Sequence, residues 1–215
     1  MAPKKSSIML AELKPIQRPI INFFNANNLS VLIGEAGTGK DFTCLFYAIE
    51  QLVQKNYEGI VITKPVVEVG KGMGFLPGME SEKIAPYKKS FDDIITKLLG
   101  PSESKKYLPK IKFEAVDFCR GNTFESQIVI LSEAQNLTLH ELMTFTTRFS
   151  DSSKMIINGD TLQADIKNSG LAKFIELMSD VEGLGVLELG PEHQMRHPII
   201  VELNKRYREY LKTKK

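Results

Sequence analysis

The stretch VLIGEAGTGKD, from Val31 to Asp41, constrains the fold of this chain more than any other part of the sequence. A short apolar strand runs into glycines at positions 34, 37 and 39, then Lys40, and then a segment of helical spacing over residues 42–53. This is the phosphate-binding pattern G-x-x-x-x-G-K-[ST], satisfied at every position except the last. Glycines let successive backbone N–H groups face one anion, and the helix that follows points the positive end of its dipole there. The stretch therefore predicts a nucleotide phosphate site.

The predicted nucleotide contacts are this loop and the first residues of the helix. The Lys40 ammonium would supply a point charge to the β- and γ-phosphates of the nucleotide. A glycine-rich turn can also be purely structural, but here the strand, the lysine and the helix all accompany it. The predicted nucleotide-binding residues of this stretch are Gly34, Glu35, Ala36, Gly37, Thr38, Gly39, Lys40, Asp41 and Phe42.

Asp41 is the one departure from the pattern, because it stands where a hydroxyl would ligate Mg²⁺. A carboxylate beside the β-phosphate is repelled unless a cation lies between the two. The departure therefore requires a compensating change elsewhere, or the loss of the metal site.

The composition is that of an ordinary globular domain. The chain has 215 residues, 42% hydrophobic and 25% charged, so one compact α/β domain is expected. The formal charge of +2 is too small to predict nucleic-acid binding by bulk electrostatics. Two isolated cysteines, no signal-like N-terminal run and no stretch of about 20 apolar residues predict a cytoplasmic protein with no membrane partner. Residues 1–12 are expected to be a flexible segment, and residues 13–215 to form the domain.

Apolar runs alternate with segments of helical spacing along the chain. Such alternation predicts a mostly parallel sheet with helices on both faces. The predicted strands cover residues 31–33, 59–63, 111–116, 127–131, 154–158 and 186–189. The predicted helices cover residues 13–26, 42–53, 81–99, 139–149 and 171–178, and a last helix ends at residue 210.

Residues 64–78, KPVVEVGKGMGFLPG, hold four glycines and two prolines, which predicts a loop. Loops at the carboxyl ends of parallel strands are where α/β proteins place ligands. Glycine-rich backbone and scattered basic groups suit phosphates without sequence readout. We therefore expect residues 66–77 and the polar turn at Arg120 to contact a nucleic-acid strand.

Three motifs, each after an apolar strand, allow a family to be recognised. GEAGTGK, ILSEAQN and NGDTLQ occur in the order found in the first motor domain of superfamily 1 helicases, where the equivalents read G-x-A-G-T-G-K-T, D-E-A-Q and G-D-x-x-Q. Within that group, VEVGKGMGFLPG, EKIAPY and the closing RHP resemble the PhoH-like ATPase family. The resemblance runs from about Gln17 to Tyr207.

The resemblance implies a single RecA-like P-loop NTPase domain that binds ATP and hydrolyses it. It also implies assembly into rings and, for some members of the family, RNA unwinding and attached nuclease domains.

The resemblance assigns roles to individual residues where this sequence matches the motifs. Glu133 would polarise the attacking water, Gln163 would sense the γ-phosphate, and Asp160 would position Gln163. Arg196 would contact the γ-phosphate, and Gln17 would read adenine. The residues also have structural interpretations, since Gln163 and Asp160 can be turn caps and Arg196 a surface ion pair.

Two departures from the family, Asp41 among them, concern the magnesium site. The family has Thr or Ser after the loop lysine and Asp before the catalytic glutamate, whereas this chain has Asp41 and Ser132. Our hypothesis is a compensated exchange, which keeps one hydroxyl, one carboxylate and the net charge, with Asp41, Ser132 and Glu133 forming the metal site. The competing hypothesis is a fold that has lost its metal. Lys64, where the family usually has arginine, is a milder change.

Superfamily 1 helicases close their ATP site between two motor domains, and one is expected here. A neighbouring copy would supply the missing side of the site, so we expect a homo-oligomer, a hexameric ring by family resemblance. Arg196 or Arg148 would act across its interface.

The leading functional prediction is an ATPase that acts on single-stranded RNA or DNA as a helicase-like or remodelling motor. The alternative is a catalytically weak nucleotide sensor with an altered magnesium site. A kinase for a small hydroxyl compound shares the phosphate loop but fits Glu133 and Gln163 less well.

Overall fold

A computed structural model describes residues 11–65, 80–119, 121 and 123–213, and for residues 80–87, 208, 211 and 212 it describes the backbone alone. Most of the expected flexible N-terminal segment, the glycine-rich loop of residues 66–77 and Arg120 lie outside the described residues.

Six strands and six α-helices form the described part of the chain. The strands are β1 (Leu29–Gly34), β2 (Gly59–Lys64), β3 (Ile111–Ala115), β4 (Gln127–Leu131), β5 (Lys154–Gly159) and β6 (Leu184–Leu189). The helices are α1 (Arg18–Ala26), α2 (Lys40–Val53), α3 (Glu80–Tyr107), α4 (Leu139–Thr146), α5 (Leu171–Met178) and α6 (Pro198–Lys212). No helix among the described residues combines the length and the apolar character needed to cross a membrane.

The strands form one sheet in the order β3-β2-β4-β5-β1-β6, and every neighbouring pair is parallel. Two hydrophobic cores lie on its opposite faces. Side chains of α1, α2 and α3 pack in one core, and those of α4 and α5 in the other. The predicted fold class, a single α/β domain with helices on both faces of a parallel sheet, is confirmed.

The burial of each strand follows from its sequence. The central strands β4 (QIVIL) and β5 (KMIING) are nearly continuous apolar runs, and they are buried along almost their whole length. The edge strands β3 and β6 carry more polar residues and are only partly buried. Continuous apolar runs suit strands that are covered on both faces, because neither side of the strand meets water.

Helix α3 extends beyond the predicted helix of residues 81–99, through Gly100 and Pro101. Gly100 has φ 78°, which breaks the helical backbone, but helical structure resumes and continues to Tyr107. Proline lacks an N–H that the first turn of a helix leaves unpaired in any case, so Pro101 can begin the second segment. The sequence signal was interpreted as a stop, whereas it marks a kink.

Two contacts fix helices against the sheet. The buried Lys154 side chain at the start of β5 donates from Nζ to the carbonyl oxygens of Phe24 (2.6 Å) and Asn27 (2.5 Å), at the end of α1. Gly170, just before α5, lies so close to the start of α4 that a Cβ there would be 2.0 Å from the Leu139 nitrogen. Neither position tolerates a change in shape or charge without rearrangement.

The strand order determines where the functional residues meet. β5 lies between β1 and β4, so the carboxyl ends of these three strands are adjacent. The glycine-rich loop follows β1, the SEAQN motif follows β4, and Asp160 follows β5. Ligands of parallel α/β sheets bind at this edge.

Candidate nucleotide-binding site

The loop between β1 and α2 has the backbone of an anion-binding turn. Gly37 and Gly39 have φ values of 94° and 79°, in a region that residues with a Cβ rarely adopt. The buried Thr38 stabilises the loop internally, since its hydroxyl donates to the Glu35 carbonyl oxygen at 2.8 Å. The loop therefore has a defined shape without a ligand.

Lys40 begins α2, and its side chain folds back over the loop. Nζ donates to the carbonyl oxygens of Gly34 (2.5 Å) and Glu35 (2.9 Å). Burial lowers the pKa of Lys40, and the negative charge of Asp160 opposes that shift. A phosphate with its oxygens in the loop would offer this ammonium a stronger acceptor than the two carbonyls.

The structure brings Asp41 and Ser132 together. Ser132 Oγ donates to Asp41 Oδ1 at 2.8 Å, although the two residues are 91 positions apart in the sequence. Asn158 Nδ2, on β5, donates to the same oxygen at 3.0 Å. Ser132 and Asn158 are both buried, whereas Asp41 is partly exposed at the loop. A carboxylate and a hydroxyl thus lie in contact where a P-loop protein holds its metal.

Glu133 follows Ser132 in a left-handed backbone conformation with φ 58°. Its Oε1 is 3.9 Å from Lys64 Nζ, and its Oε2 accepts a hydrogen bond from Gln135 Nε2 at 2.5 Å. Positive φ at a residue with a side chain costs about 1–3 kcal/mol and persists where the surroundings enforce it. The turn projects this carboxylate into the cleft beside Lys40.

Gln135 links the two acidic strand ends, a role that was not predicted from the sequence. Its Nε2 contacts Glu133 and also the Gln163 carbonyl oxygen at 3.4 Å, while its Oε1 accepts from the Asp160 N–H at 3.0 Å. The side chain is only 2% exposed. The D-E-A-Q motif that carries the family resemblance contains this glutamine, and that was the available signal.

Asp160 shapes the turn that carries Gln163. Its Oδ1 accepts from the Leu162 N–H at 2.9 Å, and its carbonyl oxygen from the Gln163 N–H at 3.3 Å. Asp160 therefore has the turn-capping contacts of the structural interpretation. Its buried Oδ2 has no hydrogen-bond partner among the described residues. A buried carboxylate oxygen at the edge of a cleft can accept a hydrogen bond from a bound ligand or water.

A cleft of about 510 Å³ lies over these groups. That volume is typical of small-molecule sites. Its lining residues are Ala36, Lys40, Glu133, Gln135, Asp160, Leu162, Gln163, Ala164, Asp165 and Tyr207.

Gln17 lies behind the loop rather than in the cleft. It is 4% exposed, its Nε2 donates to Thr43 Oγ1 at 3.0 Å, and its Oε1 accepts from the Lys14 N–H at 3.1 Å. Phe42 also lies outside the cleft lining, packed against the core of α1–α3 with Lys97 Nζ 5.8 Å from its ring centre. The adenine-reading role of Gln17 remains a prediction.

Residues 194–196 lie directly on the phosphate loop. Gln194 Nε2 donates to the Ala36 carbonyl oxygen at 3.1 Å, and the Met195 N–H donates to the Gly37 carbonyl oxygen at 2.8 Å. The exposed Arg196 passes so close that a Cβ on Gly37 would be 2.7 Å from its Cδ. Gln194 was missed in the sequence analysis, because its only signal is the neighbouring arginine.

Arg148 lies elsewhere, at the end of α4. Its backbone carbonyl accepts from the Phe124 N–H at 3.0 Å, and its side chain lines a small separate pocket with Val116 and Cys119. It is not among the described residues that line the cleft.

The residues present fit a magnesium ion held together with a nucleotide. No group of three or more His, Cys, Asp or Glu that could hold a metal occurs among the described residues. Mg²⁺ in nucleotide sites is bound by one or two protein oxygens together with phosphates and waters, so such a group is not required. Asp41 would supply a protein oxygen to the ion, directly or through water, and Ser132 would hold the Asp41 carboxylate in place.

The parallel sheet, the glycine-rich loop with Lys40, and the acidic groups at neighbouring strand ends define a P-loop domain of RecA-like fold. The family described as PhoH-like protein matches residues 9–208. This chain therefore belongs to the PhoH-like family.

Individual relatives agree with this assignment. The PhoH-like protein of Bacillus subtilis (strain 168) is 34% identical over 196 residues, covering 89% of this chain and 61% of the relative. Protein PhoH of Escherichia coli (strain K12) is 36% identical over 170 residues, covering 76% of this chain and 48% of that protein. The chain thus spans about half to three fifths of the length of these relatives.

Solved structures show the same fold at low sequence identity. The large terminase of a thermophilic bacteriophage matches with a TM-score of 0.55 and 11% identity, covering 92% of this chain and 50% of that one. The Sulfolobus solfataricus SWI2/SNF2 ATPase core in complex with dsDNA matches with a TM-score of 0.51 and 10% identity, covering 84% and 45%.

Proposed function

We propose that this chain binds ATP with Mg²⁺ on the glycine-rich loop and hydrolyses it to act on nucleic acid. The observation that carries the proposal is the convergence of Lys40, Glu133 and Asp160 on one cleft, from three adjacent strand ends. Lysine, a carboxylate for water and a further acidic group are the parts that phosphoryl transfer to water requires.

Each residue has a role that its surroundings support. Gln135 holds the Glu133 carboxylate, which would orient the attacking water for in-line displacement. Gln163 lines the cleft on a turn that Asp160 stabilises. Because Gln135 bonds to the Gln163 carbonyl oxygen and the Asp160 N–H, a shift of Gln163 on loss of the γ-phosphate would be transmitted to the ends of β4 and β5. Arg196 lies against the loop of its own chain, which favours a contact with the phosphates of the same copy.

The contact between Asp41 and Ser132 supports the compensated exchange. Asp41 would ligate the metal directly or through water, and Ser132 would hold Asp41. When bound, Mg²⁺ would neutralise the charge that develops on the phosphates. If positions 41 and 132 had changed independently, a hydrogen bond between their side chains would not be expected.

A double-mutant cycle tests this site. Magnesium-dependent ATP turnover is measured for the unaltered chain, for Asp41→Thr, for Ser132→Asp and for the double reversion. We expect each single variant to be less active than the unaltered chain and the double variant to recover activity, because each single change leaves two hydroxyls or two carboxylates at the site. Additive effects would reject the coupling.

The proposed partner is single-stranded RNA or DNA. One solved structure of similar fold is a complex with dsDNA, which supports nucleic acid as the class of partner. Short RNA and DNA strands are added while phosphate release is followed. A motor predicts a rise in turnover, and an unchanged rate would favour the second candidate below.

We also propose a homo-oligomer, which by family resemblance would be a hexameric ring. The cleft is open to solvent, with the Glu133 side chain 39% exposed, whereas transition-state stabilisation is strongest where water is excluded. A neighbouring copy would cover that side. Sedimentation that shows only a monomer, with and without ATP, would refute this assembly.

The second candidate is a nucleotide sensor that hydrolyses ATP slowly. It is favoured by one observation, the Asp41 carboxylate at the position where a hydroxyl normally meets the metal. It predicts ATP binding without turnover, and equilibrium binding measured beside phosphate release separates the two candidates.

A further inference from the structure

Asp41 accepts hydrogen bonds from two different strands on one oxygen. Ser132 Oγ, after β4, and Asn158 Nδ2, on β5, both donate to Oδ1, at 2.8 and 3.0 Å. Ser132 is 1% exposed and Asn158 2% exposed, so neither donor has water as an alternative partner. The pairing is therefore obligatory for the donors.

Asn158 stands in an otherwise apolar part of β5. It follows Met155, Ile156 and Ile157, all of which are fully buried, and in the sheet it is opposite Leu32 of β1. Its amide points to α2, because its other polar neighbour is Cys44 Sγ at 3.7 Å. A buried amide costs free energy unless its hydrogen bonds are made. The hydrogen bond to Asp41 therefore accounts for the presence of an amide side chain in this apolar strand.

We propose that Asn158 is a positioning residue for Asp41, and that with Ser132 it forms a two-donor clamp that leaves Oδ2 as the oxygen available to Mg²⁺. This inference rests on the proposed function and adds a third residue to the exchanged pair. An ionised carboxylate at position 41 can only accept hydrogen bonds and so needs donors around it, whereas a hydroxyl at that position could itself donate. Asn158 therefore serves to position the exchanged carboxylate of Asp41 rather than to pack the sheet.

The test measures magnesium-dependent nucleotide binding rather than turnover. A fluorescent ATP analogue is titrated in EDTA and at increasing Mg²⁺, which gives the metal-free affinity and the Mg²⁺ concentration at half effect. Asn158→Val removes the donor, and Asn158→Thr has the same shape as valine but keeps a hydroxyl donor. Both substitutes are β-branched and suit a buried strand.

We expect Asn158→Val to raise the half-effect Mg²⁺ concentration about tenfold, the scale of one lost hydrogen bond to a charged group. Metal-free affinity should stay unchanged, and Asn158→Thr should shift the midpoint less than Asn158→Val. In the Asp41→Thr, Ser132→Asp background, where position 41 has no carboxylate to clamp, the valine and threonine variants should bind alike. Asn27→Leu, which removes an amide bonded to Phe23 at the end of α1, should leave the midpoint in place.

Two outcomes separate this inference from the proposed function. If the unaltered chain binds the analogue with a magnesium effect and Asn158→Val has the same midpoint, the positioning role is wrong and the proposed function stands. If Mg²⁺ does not change the affinity of the unaltered chain for the analogue, the proposed metal site is wrong, and so is the proposed clamp. Should the valine variant fail to fold, Asn158→Leu, the apolar substitution closest in shape to asparagine, replaces it.

Discussion

Gly37→Ala tests whether the shape of the phosphate loop depends on the segment of residues 194–196 that lies on it. The added Cβ would lie 2.2 Å from Gln194 Oε1 and 2.7 Å from Arg196 Cδ. Contacts under 3.0 Å force a shift, and φ 94° is itself unfavourable for alanine. The substitution therefore strains the backbone and displaces two side chains at once.

The expected free-energy cost of Gly37→Ala has two parts. A left-handed backbone conformation costs a residue with a side chain about 1–2 kcal/mol. Overpacking against Gln194 and Arg196 adds about 1–3 kcal/mol. If the loop keeps its shape, this sum lowers the free energy of unfolding. If the loop relaxes away from the clash, the sum of about 2–5 kcal/mol appears as weaker nucleotide binding, roughly 30- to 4000-fold at about 1.4 kcal/mol per tenfold.

Gly121→Ala is the matched control. Gly121 has φ 91°, nearly that of Gly37, but among the described residues a Cβ there would have no heavy atom within 4 Å. It should show the backbone cost alone and no change in nucleotide affinity. The assays are urea unfolding and titration of a fluorescent ATP analogue on both variants. Equal losses of stability in the two variants, together with unchanged nucleotide affinity for Gly37→Ala, would refute the reasoning.

Three further predictions concern the fold around the site. Gly170→Ala should lower the free energy of unfolding by about 3 kcal/mol, because the new Cβ would meet the backbone of Leu139 rather than a movable side chain; a loss below about 1 kcal/mol in urea would contradict this. Burial raises the pKa of Cys119 from 9.0 to about 12, so the folded chain keeps a proton that the unfolded chain loses between these values. The free energy of unfolding should therefore fall as pH rises through that window, less steeply in Cys119→Ala, and equal slopes would count against it. Lys154→Met should destabilise the chain by about 1–3 kcal/mol, because two carbonyl oxygens at the end of α1 lose their donor; thermal unfolding at an unchanged temperature would show that these bonds contribute nothing.

Local sequence was sufficient for the central strands and for the loop. The runs QIVIL and KMIIN predicted β4 and β5 because a strand covered on both faces must be apolar throughout. The kink at Gly100 was not predicted, since glycine followed by proline marks the end of a helix or a new beginning equally well.

The residues of the site also differ in whether local sequence predicts them. Lys40, Glu133 and Asp160 were found from motifs, which are local in sequence. Gln135, Gln194 and Asn158 were missed as functional neighbours, because their significance lies in contacts with distant residues. Asn158 is 117 positions from Asp41, and Gln194 is 158 positions from Ala36.

The sequence by itself determined the phosphate loop, the parallel class of sheet and the exchanged identities of Asp41 and Ser132. Only the tertiary structure decided that these two side chains touch and that Asn158 joins them. The physical reason is strand order. Backbone hydrogen bonding and apolar burial can join parallel strands in many orders, and packing of the whole domain selects the one that places β5 between β1 and β4.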